Sequence, residues 1–398
     1  MSYLSIRDLD LKGKRVFIRV DFNVPLQKNE RGVMEITSDK RIKASLPTIQ
    51  YALEHGAGLI LASHLGRPKG KPNAEMSLQP VAARLEQLLG RPVKMAPDCV
   101  GPQVEAMKPT PGEVLLLENL RFHAEEEAND AGFAAALAAG FTHYVNDAFG
   151  AAHPAHASTE AVAHLLPAYA GLLMAREVEV IGGLLERPGH PFVAVLGGSK
   201  VSDKLPLIAS LLERCDRVLV GGAMCFTFLA ASGDPVGKSL HEGPEGQQMA
   251  RDLLESAVRL NCMLQLPSDI LVADRFAGDA ELQVVASDGI PDGWMGVDIG
   301  PRTAATYREV IVDAGTVFWN GPMGAFETPA FADGTQAVAD AMGESSAVTV
   351  VGGGDSGAAV AQFGIADRFT HVSTGGGAAL EMMEGHVLPG VAALQRRE

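Results

Sequence analysis

Two kinds of residue recur just beyond short apolar runs, and they divide between the halves of the 398-residue chain. The first half supplies Asp21-Phe22-Asn23, Arg41, His64-Leu65-Gly66-Arg67 and Arg121. Planar guanidinium groups donate paired hydrogen bonds to carboxylates and phosphates, so several of them converging form an anion pocket. The second half supplies glycine instead: Gly197-Gly198-Ser199-Lys200, Gly221-Gly222, Asn320-Gly321-Pro322-Met323-Gly324, Gly352-Gly353-Gly354-Asp355-Ser356 and Gly375-Gly376-Gly377. Glycine lets the backbone close on a ligand, and a helix starting there offers unpaired N–H groups and a positive dipole end to phosphate. One arginine is ordinarily a solvated surface residue and one glycine pair an ordinary turn. The recurrence of each type at successive strand ends points to an anion pocket in one half and a nucleotide cradle in the other.

Two better-known nucleotide signatures do not account for the pattern. Gly233–Ser239 reads GDPVGKS, one residue short of the phosphate-loop motif, and it follows a helical pattern where that motif follows a strand; it reads as a surface turn. Gly352–Gly357 satisfies GxGxxG after a strand, but the next strand ends in Thr370–Thr374, THVST, without the acid that a dinucleotide ribose requires. A nicotinamide-dependent dehydrogenase is therefore disfavoured. His153 and His156 flank a proline and lack Cys or carboxylate neighbours, which favours a structural or substrate-side role over metal ligation.

Such residues need strand ends to hold them. Apolar, β-branched runs at Val16–Val20, Leu59–Ala62, Val114–Leu117 and Tyr144–Asn146, then Phe192–Leu196, Val218–Val220, Thr316–Trp319 and Ala347–Val351, alternate with amphipathic stretches such as Ser77–Leu89 and Glu245–Leu260. Alternation of this kind predicts an α/β fold with two Rossmann-like, doubly wound parallel-sheet domains. The seam falls in a helical stretch beginning at Leu172 and stopped by Pro188-Gly189, giving domains over 1–171 and 189–387 joined by a helix over 172–188, with a hinge cleft between them. Gly182-Gly183 inside that helix reads as a close-packing notch in preference to a hinge.

Composition narrows the class. A length of 398 residues favours two domains, and 47% hydrophobic with 20% charged residues is ordinary globular usage. The net charge of -15 argues against nucleic acid and membrane surfaces as partners. That charge is uneven: residues 1–172 carry 18 basic against 19 acidic side chains, whereas 173–398 carry 15 against 29. An anion is thus better tolerated in the first half. No apolar run reaches the roughly 18 residues of a membrane span, the N-terminus lacks a signal-peptide core, and four dispersed cysteines suit a reducing compartment, so a cytoplasmic protein is expected.

The segments KGKRVFIRVDFNVP, RIKASLPTI, SHLGRP, LENLRFH, NDAFGAAH, LGGSKVSDKL, WNGPMGAFE, VVGGGDS and STGGGAALEMMEGHVLPG run in order along the chain and resemble the phosphoglycerate kinase family. The resemblance implies reversible phosphoryl transfer between 1,3-bisphosphoglycerate and MgADP, giving 3-phosphoglycerate and MgATP, by a monomer that closes its domains. It places the metabolite at Asp21, Phe22, Asn23, Arg41, His64, Leu65, Gly66, Arg67 and Arg121. It places the nucleotide at Lys204, Gly222, Asn320, Glu327, Gly352, Gly353, Gly354, Asp355 and Ser356, with Asp355 serving Mg²⁺ and Glu327 the ribose. Arg41 and Lys200 become the expected catalytic cations. The resemblance also implies that 388–398 pack back on the first domain. The family usually has arginine where this sequence has Pro154, so one substrate guanidinium is missing, and Ser356 replaces the commoner threonine. A non-catalytic sensor with the same pockets is the remaining rival.

Overall fold

A computed structural model describes residues 3–395. The chain separates into two compact units, Met1–Glu179 with Val387–Glu398, and Val180–His386. The first unit contains β1 (Arg15–Arg19), β2 (Leu26–Lys28), β3 (Met34–Ile36), β4 (Gly58–Ala62), β5 (Val93–Met95), β6 (Val114–Leu116), β7 (His143–Asn146) and β8 (Ala168–Ala170). Six of these form a parallel sheet in the order β5-β6-β4-β1-β7-β8, while β2 and β3 make a separate antiparallel pair. GLILA of β4 is buried throughout, as expected of a strand covered on both faces.

The second unit contains β9 (Phe192–Leu196), β10 (Arg217–Val220), β11 (Met263–Gln265), β12 (Asp269–Ala273), β13 (Leu282–Ala286), β14 (Met295–Ile299), β15 (Thr316–Asn320), β16 (Val348–Gly352) and β17 (His371–Val372). Its parallel sheet has the order β11-β10-β9-β15-β16-β17, and β13-β12-β14 form a three-stranded antiparallel sheet. The fold is therefore the doubly wound α/β architecture expected, repeated twice, with an antiparallel addition that the strand pattern did not indicate.

Register decides where loops emerge. Arg19 of β1 pairs with Ala62 of β4 and Asn146 of β7, so three strands end level and the chain leaves them side by side. β1 is also where the strand order reverses, the place at which such sheets open a crevice. In the second unit Asn320 of β15 pairs with Leu196 of β9 and Gly352 of β16, again at the reversal of order. Each ligand-capable set thus lies on the carboxyl edge of its own sheet.

The helix spanning the boundary between the units runs Leu172–Glu186. Its first turn is tied to the first unit: Asp147 Oδ1 accepts from Leu173 N at 2.9 Å and Met174 N at 3.3 Å, and Thr48 Oγ1 accepts from Leu172 N at 2.9 Å. These bonds satisfy N–H groups that a helix start leaves open. The packing-notch reading of Gly182-Gly183 is not supported, because a Cβ built at either position meets nothing within 4 Å. Near the other end of the chain, a turn of helix at Pro389–Ala392 sits on the first unit, with Gly390 N donating to Ala152 O at 2.9 Å and Gln395 bridging to Tyr3. The last three positions of the predicted 388–398 segment lie outside the described residues. All four cysteines are buried and unpaired.

Candidate active site

In the first unit, Asp21 is the hinge of a polar cluster at the end of β1. Arg41, on the helix Lys40–Glu54, donates from Nη1 to Asp21 Oδ2 at 2.6 Å. Burial raises the Asp21 carboxyl, but the neighbouring His64, the Arg41 and Arg19 guanidiniums and the Asn23 N–H together leave the group below its ordinary value. Asn23 Oδ1 accepts from Gly66 N at 2.9 Å, and Arg121 Nη1 donates to Gly66 O at 2.9 Å, so the β4 loop is gripped from both sides. The Arg121 Nε is buried without a hydrogen-bond partner, although Glu127 lies 3.3 Å away. His64 is buried beside these groups, and burial together with the surrounding guanidiniums pushes its pKa well below the ordinary imidazole value.

The predicted residues separate into three kinds. Asp21, Asn23, Arg41, His64, Gly66 and Arg121 are brought together, and Arg67 is exposed next to them, close enough to Arg121 to oppose its charge. Phe22 and Leu65 do not join the polar lining: both side chains are core, and their N–H groups are taken by Ser63 Oγ and Asn119 Oδ1 at 2.8 and 3.1 Å. Asn119 carries no signal in the sequence beyond its place in the segment LENLRFH, yet its buried amide staples Leu65 O and Met76 O to the loop bearing Arg121. Pro154 is half-buried, and its loop reaches the cluster, since Ser158 bonds Arg19 at 2.8 Å.

The second unit builds its floor from peptide groups. Gly222 has φ +63 and Gly353 φ +96; a Cβ on Gly222 would lie 2.4 Å from Gly198 N, and one on Gly353 2.4 Å from Asn320 Nδ2. Lys204 reaches under this floor, with Nζ 2.7 Å from Gly197 O and 2.5 Å from Asn320 Oδ1. Asn320 Nδ2 donates to Gly352 O at 2.9 Å, and the Ser356 hydroxyl is turned inward to accept from Gly321 N at 2.6 Å. Asn320 and Ser356 therefore knit the loops together. Gly354 and Asp355 open the helix Gly354–Gln362, where Asp355 is exposed and its carboxylate forms no ion pair among the described residues.

Above the floor is a cavity of about 450 Å³ whose lining includes Gly222, Phe226, Phe276, Val297, Glu327 and Asp355. Gly296 makes room for the Phe226 ring, which a Cβ would approach to 2.0 Å. Lys238 also lines it, and Ser239 is buried with its hydroxyl accepting from Gly296 N at 2.8 Å. Gly233–Ser239 is thus no mere surface turn; it is bonded to β14 and contributes a cation to the cavity wall. Lys200 is exposed, and the residues after it are anchored by Glu242, which accepts from Val201 N at 2.7 Å and from the Ser202 hydroxyl.

The described residues contain one constellation with metal-ligand spacing, Asp98, Cys99 and His123, whose ligand atoms lie within 4.8 Å of one another. It is closed on itself: His123 Nε2 pairs with Asp98 Oδ1 at 2.6 Å and the Cys99 thiol donates to Glu118 O at 3.0 Å. Burial and the acids nearby hold that thiol protonated, well above its ordinary pKa. His153 and His156 are not part of any such group.

Guanidinium groups clustered at the strand ends of one α/β unit and a glycine-floored, apolar-walled cavity on the other are features of an enzyme class that handles anionic, phosphate-bearing ligands. The comparisons with known proteins narrow this class: the family model described as Phosphoglycerate kinase matches residues 6–386, and the chain belongs to that family. It is 63% identical over 397 residues to the phosphoglycerate kinase of Solibacter usitatus, covering 100% of both chains. It is 51% identical to the chloroplastic phosphoglycerate kinase of Volvox carteri, covering 99% of this chain and 86% of that one. Among solved structures, the Coxiella burnetii phosphoglycerate kinase superimposes with a TM-score of 0.89 at 42% identity, covering 99% of each chain. The Pyrococcus horikoshii enzyme does so with a TM-score of 0.82 at 34% identity, covering 98% of each. The family reaction exchanges a phosphoryl group between 1,3-bisphosphoglycerate and ADP. No helix among the described residues is long and apolar enough to cross a membrane.

Proposed function

We propose that the pocket formed by Asp21, Asn23, Arg41, His64, Arg67 and Arg121 takes 3-phosphoglycerate or its acyl phosphate, and that the Gly222/Gly353 floor with Lys204, Asn320, Gly352, Gly354 and Asp355 takes the phosphates of ADP or ATP. Glu327, at the cavity wall, takes the ribose. The observation that carries this reading is the level ending of the central strands in each unit, which gathers each set at its own switch point. Phe22, Leu65 and Ser356 support the loops without presenting their side chains to a ligand.

Transfer between a carboxylate and a β-phosphate needs no proton shuttle, since nucleophile and leaving group are both oxyanions. Catalysis then consists of alignment, exclusion of water and neutralisation of the equatorial oxygens. Arg41 is held ready by its 2.6 Å bond to Asp21, and Lys200 by the Glu242 anchor of the residues that follow it. Asp355 fits magnesium: it is a hard, exposed carboxylate in a first helical turn, beside a floor that any Cβ would fill. Magnesium bound with the nucleotide supplies positive charge to the phosphate oxygens. Since metabolite and nucleotide are assigned to separate units, turnover requires the units to approach, and X-ray scattering should register compaction only when both substrates are present.

The reading further includes a cytoplasmic monomer that engages neither nucleic acid nor membrane, supported by the net charge of -15 and four buried, unpaired cysteines. Pro154 leaves the metabolite one guanidinium short of the family pattern. The deciding experiment couples MgATP and 3-phosphoglycerate to an acyl-phosphate trap. Lys200→Ala should lower turnover about 10²- to 10³-fold, as removal of a preorganised oxyanion donor does. Near-normal turnover in that variant would remove Lys200 from the mechanism.

A further inference from the structure

Arg19 closes β1 and is only 1% exposed, so its charge has to be satisfied from within. Nε donates to Ser158 Oγ at 2.8 Å, Nη1 donates to Val20 O, and Nη2 lies 3.0 Å from His64 Nδ1. Ser158 Oγ donates in turn to Glu126 Oε1 at 2.6 Å, and Ser158 N donates to Glu126 Oε2 at 3.0 Å. Tyr144 fixes the same residue by donating to Ser158 O at 2.7 Å. Glu126 is itself fully buried, so the guanidinium reaches that carboxyl through one hydroxyl, with Asp21 as a second acid nearby.

A guanidinium has five N–H donors, no acceptor, and does not lose its proton in proteins. The imidazole nitrogen opposite it must therefore offer a lone pair. That makes Nδ1 of His64 the acceptor and leaves the single ring proton on Nε2, for which the described residues provide no hydrogen-bond partner. The charged groups around the ring are Asp21, Arg19, Arg121 and Arg41; burial first, and the three guanidiniums after it, favour the neutral ring against the pull of Asp21.

We infer that Arg19 is a positioning residue for the metabolite half: it locks His64 in the neutral Nε2–H tautomer, giving the pocket an uncharged hydrogen-bond donor for an anionic oxygen. The inference rests on the assignment of this pocket to the metabolite. It also gives a reason for a charged side chain at the end of the buried run VFIR: a neighbouring cation forces the tautomer that a carbonyl or carboxylate would reverse.

The test is made first on the unaltered enzyme. Long-range ¹H–¹⁵N spectra of ¹⁵N-histidine-labelled protein should show His64 with a lone-pair Nδ1 and a protonated Nε2, constant from about pH 5.5 to 8. An Nδ1–H ring, a tautomer mixture or conversion to imidazolium in that range overturns the inference. In Arg19→Met the ring should begin to titrate, and the KM for 3-phosphoglycerate should become pH-dependent and rise roughly tenfold or more. Arg19→Lys, which keeps an N–H donor, should restore the tautomer even where stability is reduced. A purely structural role predicts lower stability in Arg19→Met with the His64 spectrum unchanged, which would also overturn it. If the tautomer is as inferred but 3-phosphoglycerate leaves the His64 signals unmoved, the lock stands and the pocket assignment falls.

Discussion

Nucleotide binding should draw a proton into the protein near pH 8, through Lys204. Its Nζ is surrounded by Gly197 O at 2.7 Å, Asn320 Oδ1 at 2.5 Å and Asn320 O at 3.3 Å, all neutral acceptors. Burial pushes its pKa down to about 8, against the pull of Asp355 and Asp203. At pH 8 the free enzyme therefore carries about half a proton on this amine. Anionic phosphates arriving over the floor return the amine toward its ordinary value, so binding ADP at pH 8 takes up about half a proton, against about a tenth at pH 7. Titration calorimetry in two buffers of different ionisation enthalpy reads this number directly, because the apparent heats differ in proportion to protons exchanged. Lys204→Met should abolish the buffer dependence at pH 8 while weakening binding. Equal uptake at pH 7 and 8, or uptake persisting in the variant, refutes the reasoning.

Gly353→Ala places a Cβ 2.4 Å from Asn320 Nδ2 at φ +96, and at a strain of about 1–3 kcal/mol it should weaken ADP roughly tenfold or more with 3-phosphoglycerate binding unchanged, both read by calorimetry. Asp147 has a carboxyl held up at about 7 by burial, against 3.8 as its ordinary value, so the stability this confers is complete below about pH 4 and lost as pH rises through 7. Asp147→Asn removes that loss, up to about 4 kcal/mol as an upper bound; its Tm relative to the parent should rise between pH 5 and 8, and a pH-independent difference would contradict the assignment. Pro154→Arg should lower the KM for 3-phosphoglycerate about tenfold if the new guanidinium gains one charge-assisted bond, and an unchanged KM would show that the loop does not face the ligand.

The strand ends were legible because apolar runs such as FVAVL and the VFW of TVFWN stop abruptly at glycine or asparagine, as buried strands of a parallel sheet do. β13 was not legible: Leu282 and Val284 are exposed on an antiparallel edge, so its apolar residues carry no signal of burial. The Arg19, Ser158 and Glu126 chain was invisible for a different reason, since its links span 139 and 32 residues and no local pattern connects them. One cue was available: an arginine ending the run VFIR inside a buried strand must have a buried partner. Gly182-Gly183 misled because a helical glycine pair suggests close contact, whereas these two face open space.

The floor of the second unit has an evolutionary consequence. Where Gly197, Gly222, Gly321 and Gly353 meet, the surface offered to a ligand is made of peptide planes, and an added Cβ on any of them comes within 2.4 Å of a neighbour. At these glycines the platform has no side chain for mutation to retune, and Lys204 and Asn320 bond to its peptide groups, so it is more easily lost than adjusted. With the nucleotide assigned as proposed, a change in base preference would arise at the rim, through Phe226, Phe276 or Val297, while the glycine floor stays the same.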